Sequence, residues 1–467
     1  MNTFASAVGV QLTSTENGMP AYKETGDKVL NFFSSVGARR GQDNIPLFAG
    51  ALGENKDLAI RAVLWARDVR GGAGERETFR QILKYLVSRD FALAKRVMAR
   101  VPEVGRWDDL LVLFGTTAEA YALELIESGL KAQNGLCAKW MPRKGANAEK
   151  IRAFLGYTPK QYRKTLVNLT RVVEQQMCAQ EWNAIELQKV PSLAGIRYRK
   201  AFTKHIPQKV EKFAAAVASG EAKVNAGAVY PHQIVKQLKG YSVTSDERKI
   251  LEGQWRDLVN YVPEGSYVLP MVDVSGSMGA VSGDQSSTCM DIAVALGLYL
   301  ADKNTGVFKD LFLTFSTHPE LVKLAGNTLT DKINQMQKAN WDMSTDVMAA
   351  FELILKTAKN GKVPQEQMPQ TVMIFSDMQF DQCASYNQTA YKNICKKFND
   401  AGYNAPKVVF WNLRDVSNKA AQKDDIGCAL VSGFSPSMMK NVLSNKIEVY
   451  TPFNVMVDCL MNERYNY

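Results

Sequence analysis

One short stretch narrows what this chain can fold into more than any other: Met271-Val272-Asp273-Val274-Ser275-Gly276-Ser277-Met278. An apolar run, Tyr267 to Pro270, leads into it, and a helical pattern begins near Ser287. Apolar residues running into Asp-x-Ser-x-Ser predict a buried strand that ends in a turn. Gly276 lets the backbone bend, so that Asp273, Ser275 and Ser277 can point into one space. One carboxylate and two hydroxyls make a hard oxygen cluster of the kind that suits Mg²⁺ or Mn²⁺. None of the three is a good nucleophile without an adjacent base. A Ser/Gly turn that binds nothing has the same local sequence, so the choice rests on residues further along the chain.

Two such pieces lie downstream. Thr345 lies in Trp341-Asp342-Met343-Ser344-Thr345-Asp346, just before an amphipathic helix marked by Val347, Phe351, Leu355 and Ala358. Asp377 ends a second apolar run, Thr371 to Phe375, and so repeats the placement of Asp273. Ligands of open α/β sheets sit outside the carboxyl ends of the strands, where both aspartates are expected. The set Asp273-x-Ser275-x-Ser277, Thr345 and Asp377 resembles the metal-ion-dependent adhesion site of von Willebrand factor A domains. That resemblance covers residues 263–467 and implies an α/β, Rossmann-like domain holding one Mg²⁺ (or Mn²⁺) per chain. It also implies that Ser275, Ser277 and Thr345 bind the metal, with Asp273 and Asp377 acting directly or through water.

A chain of 467 residues is too long for one ordinary core, so more than one domain is expected. The start, Met1 to Pro20, is polar and weakly patterned, and no run of 18 apolar residues occurs anywhere. The expectation is a cytoplasmic protein with no membrane segment. Seven scattered cysteines, an odd number without a C-x-x-C pair, read as reduced thiols. With three histidines and no paired ligand spacing, zinc is not expected.

The net charge of +10 is unevenly spread. Residues 1–260 carry 39 Lys/Arg against 26 Asp/Glu, and residues 131–212 alone carry 17 against 5. Such asymmetry fits a polyanionic partner, and it equally fits a solvated basic face. Residues 1–25 read as a loose arm. From residue 26 to 262 apolar residues recur at helical spacing, with few alternating β-branched runs, which suggests stacked helix pairs of HEAT type. The glycine-rich break Arg67-Asp68-Val69-Arg70-Gly71-Gly72-Ala73-Gly74-Glu75-Arg76 is not a phosphate loop, because no Lys-Ser/Thr comes after it and no strand precedes it. It reads as a helix–helix turn whose glycines allow close packing, with arginines that could also meet phosphate.

That break, with Pro102-Glu103-Val104-Gly105-Arg106-Trp107-Asp108-Asp109-Leu110-Leu111 after it, resembles the TROVE domain of Ro ribonucleoproteins. Lys139-Trp140-Met141-Pro142-Arg143 and Phe410-Trp411-Asn412-Leu413-Arg414, among other stretches, resemble more closely a poorly characterised TROVE-like family that also ends in an A domain. The resemblance implies a HEAT-like helical ring or solenoid closed by the A domain. It further implies binding of small non-coding RNA, or of misfolded RNA with single-stranded ends.

The densest basic stretches interleave cations with aromatics. They offer Lys139, Arg143 and Lys144 around Trp140; Arg163 and Lys164 beside Tyr162; and Arg197, Arg199, Lys200, Lys204 and His205 around Phe202. Cations hold phosphate while aromatic faces stack unpaired bases. The aromatics read equally as core residues flanked by cations. The tail, Tyr450 to Tyr467, has enough apolar residues to pack on either part. The expectation is a multidomain α plus α/β protein: an arm (1–25), a helical domain (26–262) and an A domain (263–467). It would be a non-catalytic RNA-binding scaffold. The alternative is a protein-adhesion module whose metal captures an acidic side chain of a partner. An enzyme has no support, since no triad, deaminase zinc motif or phosphate loop is present.

Overall fold

The computed structural model describes residues 11–170, 172–240, 242–280, 287–315, 318–336, 338, 344–382, 389–444 and 446–467. The first ten residues of the expected arm, Trp341-Asp342-Met343 and Cys383 lie outside the described residues.

Two apolar periods in the sequence give two kinds of layer. From Lys28–Val36 to Ser245–Arg256 the period is helical, and among the described residues of 26–262 no strand occurs. In Glu77–Arg89 the spacing buries Phe79, Ile82, Leu83 and Leu86 on one face. Side-chain caps punctuate the succession: Asp27, Asn55, Thr158 and Thr244 each accept a backbone N–H of the first turn they precede.

Strands frame this region. β1 (Leu12–Ser14) and β2 (Pro20–Tyr22) form an antiparallel hairpin. β3 (Val268–Asp273), β4 (Leu311–Phe315), β5 (Leu321–Lys323), β6 (Thr371–Ser376), β7 (Lys407–Asn412) and β8 (Cys428–Ser432) form one sheet in the order β5-β4-β3-β6-β7-β8. Only β5 is antiparallel to its neighbour. The chain runs outward from β3 to β5 and returns on the other side at β6. The strand order therefore reverses between β3 and β6, the crevice where open α/β sheets hold ligands.

Alternation along the strands builds two cores. Met373, Phe375, Val409 and Trp411 face the helical part, while Val372, Ile374, Val408 and Phe410 face away from it. The first core is continuous from Phe32, Phe33 and Trp65 through the sheet to Tyr465. The second is closed by helices Val347–Asn360 and Ala390–Asp400 and by Met19 of the hairpin. The architecture is thus α plus α/β, with the two parts sharing apolar packing.

Two terminal segments differ from or sharpen the sequence reading. The segment expected as a loose arm is, from Gln11 on, a docked hairpin with Met19, Ala21 and Tyr22 buried, and Tyr22 and Lys419 exchange backbone hydrogen bonds. The tail takes both of the places open to it. Helix Pro452–Leu460 packs on β8 and on helices Lys28–Val36 and Lys56–Arg67. Arg464 then grips buried Asp68 with two hydrogen bonds of 2.5 and 2.9 Å.

The glycine-rich break is a packing device. A Cβ on Gly72 would lie 1.8 Å from the Trp65 carbonyl oxygen, so no larger residue fits. Arg67 donates to Asp109 (2.7 Å), and Arg80 donates to Asp109 (2.8 Å) and Asp108 (3.0 Å). The glycine-rich break and the 102–111 stretch are therefore locked to each other. Among the described residues no helix is long and apolar enough to cross a membrane, and the six described cysteines are free thiols.

Candidate metal centre and basic cleft

Pairing of β3 with β6 sets Val272 beside Phe375, which brings the strand ends Asp273 and Ser376 together. Ser376 donates to Asp273 Oδ2 at 2.5 Å, and the Ser275 N–H donates to Asp273 Oδ1 at 2.9 Å. Ser275 Oγ and Ser277 Oγ lie 3.0 Å apart in the turn beyond. Asp273 and Asp377 are both fully buried. Burial, and after it the charge of Asp377, push the Asp273 carboxyl up to about 7. The backbone turns sharply after Asp377, with Met378 in the left-handed region at φ +64°. A buried, non-glycine residue there carries a local cost, and such strain gathers at functional sites.

Thr345, at the entry to helix Val347–Asn360, is tied to the loop beyond Asp377. Its hydroxyl lies 2.7 Å from Asp381 Oδ1 and 2.8 Å from the Gln379 carbonyl, and it accepts from Asn17 Nδ2 at 2.9 Å. Its N–H donates to Asp381 Oδ2 at 2.7 Å. Asp273, Ser275 and Ser277 thus share one turn, Asp377 faces it across the strand pair, and Thr345 is held on the 379–381 loop. Among the described residues no three His, Cys, Asp or Glu side chains gather as a metal cage. Two carboxylates with the hydroxyls of Ser275, Ser277 and Ser376 beside them would suit a hard divalent cation that keeps several waters. Two buried like charges with hydroxyl neighbours are also what such an ion would relieve.

Sequence reasoning missed the other wall of this site. Arg414, just beyond β7, donates to Asp377 Oδ2 at 3.2 Å and lies 3.4 Å from Glu16 Oε2. The hairpin tip is fixed by several contacts: Thr15 Oγ1 donates to the Phe380 carbonyl (2.6 Å), the Glu16 N–H to Gln379 Oε1 (2.6 Å), and the Gln382 N–H to the Asn17 carbonyl (2.9 Å). The Asn17-Gly18 pair, with Gly18 at φ +90°, was the one local signal for a hairpin.

A second feature lies among the helices. A cleft of about 770 Å³ takes lining residues from Arg40 to Gln233 and, from the sheet part, Phe434. Lys139 and Arg197 line it, together with Arg40, Arg76 and Arg106. Arg106 stacks over the Trp140 ring at 3.8 Å, and Arg40 over Phe434 at 4.4 Å. The other sequence candidates divide. Arg143, Lys144, Arg163, Lys164, Lys200 and Lys204 are exposed. Arg199 is instead paired with buried Glu247 at 3.1 Å, and His205 is stacked on Trp182 at 4.0 Å between ring centres. Tyr162 and Phe202 are core residues.

Two family models match consecutive parts of the chain. Residues 118–266 match a domain of unknown function (DUF2828), and residues 268–457 match another (DUF7788). Over 96% of its length the chain is 30% identical to the uncharacterised protein L728 of Acanthamoeba polyphaga mimivirus, covering 87% of that protein. The chain belongs to the family of that viral protein. The sheet that carries Asp273 and Asp377 falls in the DUF7788 match; of the cleft's cations, Lys139 and Arg197 fall in the DUF2828 match, while Arg40, Arg67, Arg76 and Arg106 precede it.

Proposed function

We propose that this protein is a non-catalytic RNA-binding scaffold of the Ro type, with a HEAT-like helical domain joined to a von Willebrand A domain. The observation that carries the reading is the 770 Å³ cleft, where Arg40, Arg67, Arg76, Arg106, Arg197 and Lys139 outnumber Glu75, Glu77 and Glu174, with Trp140, Tyr230 and Phe434 among them. Cations with aromatic faces between them suit the phosphates and unstacked bases of a single-stranded RNA end. Helix Ser192–His205 extends the basic surface, since Arg197, Lys200 and Lys204 are exposed at spacings of three and four residues, on one face. Binding through several cations loses affinity steeply with salt, because counterions are released. Replacing Arg197, Lys200 and Lys204 by glutamine should lower affinity for a single-stranded RNA, measured by fluorescence anisotropy over a salt series. It should also flatten the salt slope by about two to three units. Unchanged affinity and slope would refute this placement of the RNA.

The alternative, a metal-dependent adhesion module without RNA, draws on the buried pair Asp273 and Asp377 at the strand-order reversal. In that reading one Mg²⁺ or Mn²⁺ is held by Asp273, Ser275, Ser277, Thr345 and Asp377, leaving a position for a partner's carboxylate. The aspartates would be engaged with the ion or its waters, so the site offers no further general base for hydrolysis.

A further inference from the structure

The cation site and the N-terminal hairpin are linked by one side chain. Asp377 is wholly buried, and Arg414 reaches it from the rim, a third exposed. The same guanidinium nitrogen lies within 3.4 Å of Glu16, whose carboxylate is 60% exposed. Both partners are held in place. The Arg414 N–H donates to Asn412 Oδ1 at 3.0 Å at the end of β7, and Glu16 is anchored through its own N–H on Gln379. Arg414 thus bridges a buried carboxylate and a solvent-facing one.

Charge balance gives the bridge a consequence. Arg414 offsets the charge of Asp377, one of the two buried carboxylates. A divalent ion cancels both, repels the guanidinium and leaves it without its inner partner. Glu16 is then the carboxylate already in reach to receive it. We propose that Arg414 is a resident counter-cation that competes with a divalent ion for Asp377, and that Glu16 holds Arg414 aside when the ion binds. This rests on the reading of Asp273 and Asp377 as a cation site. Arg414 sets the affinity by occupying the ligand, and Glu16 is a positioning residue that acts only through Arg414. The hairpin at one end of the chain thereby tunes a site formed near the other.

The test is calorimetric titration of Mn²⁺ into the full-length protein and its variants. Arg414→Gln should bind Mn²⁺ at least about tenfold more tightly, since one charge at contact distance is worth from about fivefold in bulk water to about a thousandfold near a protein surface. Glu16→Gln should bind several-fold more weakly than wild type. The double variant should match Arg414→Gln alone, because Glu16 has no role once Arg414 is gone. Arg414→Lys keeps the charge and should stay near wild type, which separates charge from any loss of folding. Arg414→Gln binding no tighter than wild type would overturn the competition. A weakening by Glu16→Gln that persists in the double variant would overturn the relay. The underlying site fails in a different way: Asp273→Asn would then bind Mn²⁺ as wild type does, or no variant would bind it at all.

Discussion

Lys419 shows what a single buried residue can cost. Its ammonium donates to Ser35 Oγ at 2.6 Å, and the charges of Arg39 and Asp415 act on it. Burial first, then Arg39, push its pKa down to about 8, while Asp415 acts the other way. The folded value lies below that of an ordinary lysine, so the unfolded chain holds the proton more tightly. Stability must therefore rise as pH climbs from about 8 towards the unfolded lysine value of about 10.4. Lys419→Met should be more stable than wild type at pH 7 by on the order of 1–3 kcal/mol, with the gap closing by about pH 10. Ser35 keeps a carbonyl one helical turn back as an acceptor. Urea melts of both proteins across that range check this, and a gap that stays constant with pH would contradict it. Nothing in the local sequence marks Lys419, because its partners, Tyr22 of the hairpin and Ser35 of helix Lys28–Val36, lie nearly 400 residues earlier. Asp273 and Asp377 were legible because each ends an apolar strand of its own. Arg414 was not, since only the β6–β7 register, Ser376 beside Asn412, brings it to Asp377.

At the scale of the element, helix Ser192–His205 separates two roles that its composition blends. Arg199 turns to Glu247, which is itself 3% exposed and holds the N-cap of Ser245–Arg256. Removing Arg199 leaves a buried carboxylate short of its cation, a loss that typically costs about 3–5 kcal/mol. Arg199→Gln should therefore lower the melting temperature and leave RNA affinity near wild type. Arg197→Gln should do the reverse. Thermal melts and anisotropy on both variants decide it, and parallel effects would mean the helix has no such division. The sequence pattern located this helix but could not assign its faces, because the sign of a charge does not say what it meets. Likewise, Tyr162 and Phe202 sit within basic runs yet belong to the apolar stripe of their helices. The hairpin strands, three residues each, were too short for alternation to register against the polar start.

At the scale of the whole molecule, the helices and the inner face of the sheet share one core, and the tail closes it. Arg464 is the cation that grips Asp68, which is 1% exposed beside the Trp65–Gly72 contact. Arg464→Ala should destabilise the protein by about 3–5 kcal/mol. Because the core is continuous, scanning calorimetry should show one lowered transition, not an early helical one and then a sheet transition. Two separated peaks would contradict a shared core. The hairpin poses a different problem, one of time. It is made first, but its docking partners, Phe380, Gln382 and Lys419, are made about 360 to 400 residues later. At about 5–20 residues per second, Met19 and Tyr22 wait for roughly 20–80 s before their place exists. Throughout that interval the emerging chain carries an apolar segment with nothing to cover it. The site around Asp377 receives its outer wall only when the hairpin meets residues made long after it.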